Sequence, residues 1–503
     1  MSVFTILVYA GLAYVVFKLA KLIYGEVTSP LRVLPGPPNL SFILGNFRGI
    51  ANVEYTKMIK IYFFFSGYTI YFSDSKAINH ILMNYYDYQK PQAAIYNIKQ
   101  LMGPGICPNP VFGPSHIREL TEIFVEKSLQ LRDMWTKDIS ISGGLTRMTL
   151  DVIGLAGFND NFNALSDGQE EDELSSAFSI IFKAGTSLNP ISLFRNLFPP
   201  LRVLVNDFTR ADAEVKSASE IMKRIGGQLL KENRESISSS GKNKDIRGSR
   251  DVLSLLVHAN VAPHLEDHRR LSDEHVLVQV PTFLVAGHET TNFSTGVTWV
   301  LYALAQNIAA QTKLRQELLT ASTDNPTMEE LNSFPYLDAI VRETMRLYAP
   351  VPMTSCVAMK DDAIPLEMPF RGLDENTLIH NFYRINKGQG VTIPILPLNR
   401  SRMLWGEDSM QFKSERWFPA VPEAATNIPG VFGNMLTFLG GPRSCIGYRF
   451  SLVEMKALLF TLLGAPAKDI SQKTSLTARP VLITDLDNPN QMPLLIRPVT
   501  TSV

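Results

Sequence analysis

The stretch Phe438-Leu-Gly-Gly-Pro-Arg-Ser-Cys-Ile-Gly447 is the most specific pattern in this 503-residue chain. Cys445 lies between glycines and directly before a predicted helix, whose N-terminus carries partial positive charge. This position favours the thiolate form of the cysteine, and a thiolate can bind iron. The glycines let the backbone approach a flat cofactor closely, and Arg443 is placed to pair with a carboxylate of that cofactor. The pattern therefore predicts a cofactor-binding loop.

Cysteine content and charge limit the classes of protein to which the chain can belong. A lone cysteine is more often a buried structural residue, which is the ordinary alternative for Cys445. Zinc is disfavoured, because no second cysteine or histidine lies nearby. Three cysteines exclude a disulfide scaffold, and the balance of 48 Lys and Arg against 48 Asp and Glu argues against a general nucleic-acid binder.

A second segment lies in the middle of a predicted helix that runs from Ser272 to about Asn307. Ala286 and Gly287 leave space above a cofactor. Glu289 and Thr290 can form a proton path, since a threonine in a helix can bond back to a carbonyl and open the helix ladder. Taken alone, this segment is more typical of an ordinary contact between helices.

Two further segments carry charged residues. Glu343 and Arg346, at i and i+3, lie on one face of a predicted helix and can pair. Arg416 lies in the segment Phe412–Trp417. Their ordinary alternatives are a surface ion pair, which contributes little stability, and a turn with a packed aromatic residue.

Together and in this order, the four segments resemble the cytochrome P450 family of haem-thiolate monooxygenases. The cysteine loop matches the family pattern FxxGxRxCxG at Phe438, Gly441, Arg443, Cys445 and Gly447. The long helix matches [AG]GxxT[TS] at residues 286–291, and ExxR is matched by Glu343 and Arg346. Arg416 matches the arginine of a PERF-like segment, in which Ser414 and Trp417 replace the proline and phenylalanine.

The resemblance implies a role for each of these positions. Cys445 would be the axial thiolate ligand of the iron of haem b, and Arg443 would bind a haem propionate. Glu289 and Thr290 would deliver protons to bound dioxygen. A buried charge network would hold the segments beneath the haem, and its members would be Glu343, Arg346 and Arg416.

The resemblance also implies a reaction and its partners. One atom of O2 would be inserted into a C–H bond or a double bond of the substrate. Electrons would come from NADPH through a separate NADPH–cytochrome P450 reductase, because the chain shows no nucleotide-binding segment.

The N-terminal segment Val3–Ile23 is predominantly apolar and predicts a transmembrane helix. The alternative is a cleaved signal peptide, but the positive charges follow the apolar run. We predict a membrane anchor over residues 1–24, a Pro-rich hinge and the start of the catalytic domain over 25–50, and a haem-binding catalytic domain over 51–503. The expected location is the endoplasmic reticulum membrane, with a single-pass anchor and the catalytic domain facing the cytosol.

The remaining pattern predicts a mainly α fold with a small β component, as in the P450 fold. Helical spacing of apolar residues predicts helices over Ser75–Tyr85, Ser115–Ile139, Leu145–Phe158, Glu170–Leu188, Arg210–Glu235, Leu337–Tyr348 and Ile446–Leu463. A short hairpin is predicted near residues 62–72, with strands over Tyr62–Phe65 and Thr69–Phe72.

The chain departs from the family pattern at several positions. Members normally have a helix after the first substrate loop, but here the Gly- and Pro-rich segment 103–114 runs straight on to Ser115. The hairpin near 62–72 and the join at 463–466 are also short. Cys356 stands where many members have a propionate-binding arginine. Two explanations remain open, namely a gene model with wrong splice boundaries and a degenerate member that retains haem weakly.

The substrate class follows from the predicted pocket walls at 95–112, 178–198, 283–290 and 352–357, which are largely apolar. They indicate a lipophilic small molecule, and a secondary metabolite such as a terpenoid is the favoured choice. One alternative is a haem-thiolate isomerase or dehydratase, against which the Glu289–Thr290 pair argues. The other is a haem- or lipid-binding protein without monooxygenase activity.

Overall fold

A computed structural model describes most of the chain. The described residues are 3–28, 31, 34, 36–39, 45–46, 59–62, 68–96, 113–135, 141–166, 173, 176–177, 180–181, 195, 198, 210–239, 251–254, 296–370, 380–462, 471–473 and 479–481.

Helices make up most of the described structure. In chain order they are α1 (Val3–Val27), α2 (Ser75–Met83), α3 (Pro114–Trp135), α4 (Ile141–Phe158), α5 (Arg210–Ser239), α6 (Thr298–Gln306), α7 (Ile308–Leu318), α8 (Met328–Ser333), α9 (Pro335–Leu347), α10 (Ile395–Asn399), α11 (Arg402–Trp405) and α12 (Tyr448–Leu462).

The strands within the described ranges form three small sheets. They are β1 (Ile59–Tyr62), β2 (Tyr68–Tyr71), β3 (Tyr88–Gln89), β4 (Thr354–Ala358), β5 (Asp362–Phe370), β6 (His380–Ile385), β7 (Gly390–Ile393), β8 (Ser471–Lys473) and β9 (Arg479–Val481). The largest sheet has the order β1-β2-β7-β4-β3, in which only the β2–β7 pair is parallel. The β5–β6 and β8–β9 pairs are antiparallel hairpins.

The helix that follows the cysteine loop lies in the core. Helix α12 packs on α3, where the rings of Phe450 and Phe124 meet edge to face with centroids 4.8 Å apart. Helix α9 contacts α12 as well, and its face from Leu337 to Leu347 is buried. Because α9 carries the predicted Glu343–Arg346 pair, this packing places the pair inside the protein.

The N-terminus of helix α9 is stabilised by a proline in its first turn and by a carboxylate of helix α7. Pro335 occupies the first turn, where its missing N–H costs no hydrogen bond. Glu317 of α7 accepts hydrogen bonds from the N–H groups of Tyr336 and Leu337, both at 2.8 Å. A carboxylate from another helix thus caps the unsatisfied donors of α9.

The predicted mainly α fold with a small β component agrees with the observed elements. The predicted helices over 75–85, 115–139, 145–158, 337–348 and 446–463 correspond to α2, α3, α4, α9 and α12. The end predicted at about Asn307 agrees with the end of α6 at Gln306. The hairpin is present as β1 and β2, although its first strand lies three residues earlier than predicted. In the observed register Tyr62, the last residue of β1, pairs with Tyr68, the first residue of β2.

The N-terminal segment is helical but does not meet the requirement for a membrane anchor. The ring of Tyr14 in α1 meets that of Phe198 edge to face, with centroids 6.4 Å apart. Crossing a bilayer requires about 20 consecutive, mostly apolar residues. Among the helices within the described ranges, none is both long enough and apolar enough to do so. The predicted transmembrane helix over residues 1–24 is therefore wrong, and so is the endoplasmic reticulum membrane location that rested on it.

Replacing the carboxylate that caps α9 tests this description of the fold. Glu317→Ala removes the acceptor of two backbone donors, so we expect the free energy of unfolding to fall by about 1–2 kcal/mol. Glu407→Ala is the control, because Glu407 is exposed and only approaches Arg402 at 4.0 Å. Urea unfolding of both variants decides the point, and equal stabilities would show that Glu317 does not cap the helix.

Candidate functional site

The cysteine loop is closed at its base by backbone hydrogen bonds. The N–H of Cys445 donates to the carbonyl of Phe438 at 2.9 Å, and the N–H of Val431 donates to the carbonyl of Leu439 at 2.9 Å. Between them Gly441–Arg443 forms a 3-10 turn. These bonds hold Cys445 beside Phe438, so that the five loop residues singled out in the sequence lie together.

The glycines of the cysteine loop differ in what a side chain at each position would meet. A Cβ on Gly440 would lie 1.6 Å from the carbonyl oxygen of Pro429, so only glycine fits there. Gly441 has φ of +68° and a Cβ would lie 3.0 Å from the carbonyl oxygen of Leu82. A Cβ on Gly447 would meet no atom within 4 Å. Two glycines thus serve the packing of the loop, whereas Gly447 faces open space beside the cysteine.

Cys445 is a partly buried thiol with one polar neighbour. Burial raises its pKa, and this effect outweighs the hydrogen bond from the backbone N–H of Gly447, which lowers it. Desolvation thus opposes the thiolate that a position before a helix N-terminus favours. A thiolate at this position requires a cation, such as iron, to replace the proton.

Arg443 points back towards strand β3. Its Nη1 donates to the carbonyl of Tyr88 at 3.1 Å, and its Nη2 donates to Oε1 of Gln89 at 2.7 Å. The guanidinium carbon lies 5.4 Å from the ring centroid of Tyr85. All three partners are neutral, so the positive charge is available for a carboxylate. A sulfur donor, open space at Gly447 and this cation together fit a planar metal cofactor that carries carboxylates.

Arg346 is fully buried and forms a bidentate ion pair. Its Nε and Nη2 donate to the two carboxylate oxygens of Glu343 at 2.9 and 2.8 Å. Its Nη1 donates to the carbonyls of Asn399 and Ser409 at 2.8 and 2.7 Å. Both partners of the pair have no exposed side-chain surface, which excludes the alternative of a surface ion pair.

The Glu343 carboxylate joins α9 to the segment that contains Arg416. It accepts hydrogen bonds from the N–H of Lys413 at 3.0 Å and from Nε1 of Trp417 at 3.2 Å. The Nε of Arg416 lies 3.4 Å from the same carboxylate. The predicted residues Glu343, Arg346 and Arg416 are thus brought together in one buried cluster.

A second carboxylate balances Arg416. The Nη1 of Arg416 donates to Oδ1 of Asp408 and to the carbonyl of Trp405, both at 2.8 Å. Hydrogen bonds from Lys413 and Arg416 lower the pKa of Asp408 to about 2, so the carboxylate is ionised at neutral pH. Two arginines therefore face two carboxylates, and the buried charge is neutralised.

Asn399 connects this cluster to the cysteine loop. Its carbonyl accepts from Arg346, and its side-chain Oδ1 accepts from the N–H of Leu436 at 3.0 Å. Its Nδ2 donates to Oγ1 of Thr437 at 2.8 Å, and that hydroxyl donates to the carbonyl of Met345 at 2.6 Å. The residues directly before Phe438 are thus tied to α9.

Sequence reasoning did not identify Asp408 or Asn399. No helix or strand is predicted over either residue, so no periodicity of a predicted element connects them to the four segments. A weak signal for Asp408 is its position eight residues before Arg416. Their roles depend on contacts between distant parts of the chain.

Several predicted site residues lie outside the described residues. These are Ala286, Gly287, Glu289 and Thr290, together with the segments 97–112, 63–67 and 463–470 in which the departures from the family pattern fall.

Comparisons with known proteins find relatives along nearly the whole chain. The sequence model of the cytochrome P450 family matches residues 109–465. Cytochrome P450 monooxygenases 128 and 205 of Postia placenta are each 44% identical to this chain, over 97% and 98% of it and over 96% and 97% of their own lengths. Ganoderic acid synthetase of Ganoderma lucidum is 30% identical over 93% of the chain and 94% of its own length.

The alignment with the first of these relatives also contains gaps. It extends over 533 positions, more than the 503 residues of this chain. Segments of the relative therefore have no counterpart here.

Removing the charge of Glu343 tests the buried cluster. Glu343→Gln keeps the shape of the side chain but leaves Arg346 buried without its carboxylate, so we expect a loss of about 3–5 kcal/mol in the free energy of unfolding. Glu423→Gln, on an exposed residue, is the control. Chemical denaturation is the measurement, and a loss no larger than in the control would refute the role assigned to Glu343.

Proposed function

Since the chain belongs to the cytochrome P450 family of haem-thiolate monooxygenases, we propose that it hydroxylates or epoxidises a lipophilic small molecule. The observation that carries the proposal is the cysteine loop, in which a single sulfur donor lies beside open space and close to a cation with neutral partners. Residues 51–503 would form one catalytic domain around this site.

Cys445 would bind the iron through Sγ. Haem, when bound, supplies the activation of O2 that the polypeptide cannot perform. The raised pKa of the free thiol means that binding of iron must displace a proton from Sγ. The N–H of Gly447 would then donate to a sulfur that carries negative charge and would stabilise it. Phe438, Gly441 and Gly447 would shape the surface against the cofactor.

Arg443 would neutralise a carboxylate of the haem. Its side chain is already oriented by Tyr88 and Gln89, so little rotamer entropy would be lost on binding. The cluster around Glu343 would act at a distance by holding Asn399, which positions the start of the cysteine loop.

Protons would be moved by two residues of the long helix. Glu289 would hold a proton, and the hydroxyl of Thr290 would pass it towards the cofactor site, while Ala286 and Gly287 would leave room for substrate above the cofactor. This part of the proposal rests on the match of residues 286–291 to the family pattern.

P450 enzymes generally use O2, a redox partner and a lipophilic substrate. For this chain we propose NADPH–cytochrome P450 reductase as the source of electrons. A secondary metabolite, such as a terpenoid, is the proposed substrate class, since the predicted pocket walls are apolar. The relative named ganoderic acid synthetase supports a role of this kind.

Replacing the proposed iron ligand tests the proposal. Cys445→Ala should abolish the strongly red-shifted Soret band that a thiolate-ligated haem gives when it is reduced and bound to carbon monoxide. Cys356→Ala is the matched cysteine control and should keep the position of the band. Folded wild-type protein that lacks the band would refute the proposal. A band without any consumption of NADPH, with reductase and a panel of lipophilic compounds, would favour a binding protein instead.

Thr290→Ala tests the proton path. The variant should keep the red-shifted band, because Thr290 does not bind iron, but should form less product for each NADPH consumed. The ratio of product to NADPH is the measurement. An unchanged ratio would remove Thr290 from the mechanism.

A further inference from the structure

Asp362, the first residue of β5, receives hydrogen bonds from two other elements. Nε2 of His80 on α2 lies 2.8 Å from its Oδ2, and the hydroxyl of Tyr88 on β3 donates to the same oxygen at 2.8 Å. Its Oδ1 accepts from the N–H of Ala363 at 2.8 Å. The carboxylate of Asp362 thus fastens a helix and a short strand to the β5–β6 hairpin.

The direction of these hydrogen bonds follows from the groups around them. Nδ2 of Asn84 lies 3.4 Å from Nδ1 of His80. Because an amide nitrogen only donates, Nδ1 accepts, and Nε2 carries the proton that is donated to Asp362. Burial and the hydrogen bond to Asp362 raise the pKa of Tyr88, so its hydroxyl remains a donor. Burial alone would raise the pKa of Asp362, but the hydrogen bonds from His80 and Tyr88 bring it below its usual value.

Tyr88 is held at both ends. Its hydroxyl is bound to Asp362, and its backbone carbonyl accepts from Nη1 of Arg443 at 3.1 Å. The side chain of Gln89 accepts from Nη2 of Arg443 at 2.7 Å, while its own amide nitrogen donates to the carbonyl of Tyr85 at 3.1 Å. The orientation of the Arg443 guanidinium is therefore set by the position of β3.

Strand β3 depends on side-chain contacts because it is short. It comprises two residues, which pair with Ala358 and Val357 of β4. A ladder of this length contributes little stability by itself. The ring of His80 adds an edge-to-face contact with the ring of Tyr88, at a centroid distance of 6.1 Å. Asp362 and His80 thus fix a strand that its own ladder holds only weakly.

Helix α2 meets the cysteine loop at a second point. It packs on β5 and also against the turn Gly441–Arg443. At that turn a Cβ on Gly441 would lie 3.0 Å from the carbonyl oxygen of Leu82, near the end of α2. Both of the elements that Asp362 joins, α2 and β3, therefore contact the turn that carries Arg443.

We propose that Asp362 and Tyr88 are positioning residues for Arg443. By fixing β3 against α2, they hold the guanidinium in the orientation in which it would meet a carboxylate of the haem, so that this orientation exists before the cofactor binds. They act through Arg443 rather than on the haem itself. This inference rests on the proposed function, because Arg443 has a carboxylate to bind only if haem is the cofactor.

Removing the hydroxyl of Tyr88 tests the inference. Tyr88→Phe keeps the backbone carbonyl that Arg443 uses but weakens the hold on β3, so haem should dissociate about 3- to 10-fold faster. Asp362→Asn, which removes the charged acceptor, should act in the same direction. Tyr302→Phe, on α6, is the matched control and should leave the rate unchanged. Transfer of haem to an excess of a competing apoprotein measures the rate.

Substitution of Arg443 separates positioning from a general loss of stability. In the Arg443→Gln background, Tyr88→Phe should not accelerate haem dissociation further, because the group that it positions is gone. A purely structural role of Tyr88 predicts the same acceleration in both backgrounds. An effect of Tyr88→Phe that is as large in Arg443→Gln as in wild-type protein would overturn the inference, and so would an unchanged rate in Tyr88→Phe alone.

Haem dimethyl ester, in which both carboxylates are masked, gives a second test that needs no double variant. Tyr88→Phe should not change the dissociation rate of the ester, since Arg443 then has no carboxylate to hold. An equal acceleration for haem and for its ester would contradict the inference. Failure of the proposed function is distinguishable, because it would appear as the absence of the red-shifted band in wild-type protein. Failure of the inference alone would leave that band intact.

Discussion

The described core depends on one buried carboxylate. Glu343 is completely buried, and its two oxygens accept hydrogen bonds from Arg346 on its own helix and from the segment 413–417. An ionised carboxylate can be buried only when such partners surround it. Because these partners come from different parts of the chain, satisfying Glu343 requires α9 and the segment 413–417 to meet in one arrangement. Arg346 extends that arrangement to Asn399, and Asn399 extends it to the residues before Phe438.

Cations in this protein are used in two different ways. Arg346 and Arg416 face carboxylates, and their charges are neutralised within the polypeptide. Arg443 has neutral hydrogen-bond partners. The first arrangement stabilises the polypeptide, whereas the second leaves electrostatic free energy that an anionic group can satisfy. Cys445 follows the same logic with the opposite sign, since burial raises the pKa of its thiol and a cation would favour the thiolate.

Much of the fold and of the site was predictable from the sequence. The i,i+3 spacing placed Glu343 and Arg346 on one face, and the apolar pattern located the helices on either side of the cysteine loop. The replacements in the PERF-like segment are also explained, since Ser414 donates to the hydroxyl of Tyr336 at 2.9 Å and Trp417 gives Glu343 an additional donor. The expectation of a membrane anchor was wrong, since no helix within the described ranges is both long enough and apolar enough to cross a bilayer. The burial of Cys445, which raises the pKa of its thiol, was not visible in the sequence.

The sequence by itself determined the types of residue that carry the chemistry and their local spacing, because helix faces and turns are set by neighbours in the chain. Only the tertiary structure decided which distant groups satisfy them. Asp408 balances Arg416, and Asn399 joins α9 to the cysteine loop. The physical reason is that charges and hydrogen bonds act through space, over a few ångströms, between residues whose separation along the chain carries no periodic signal.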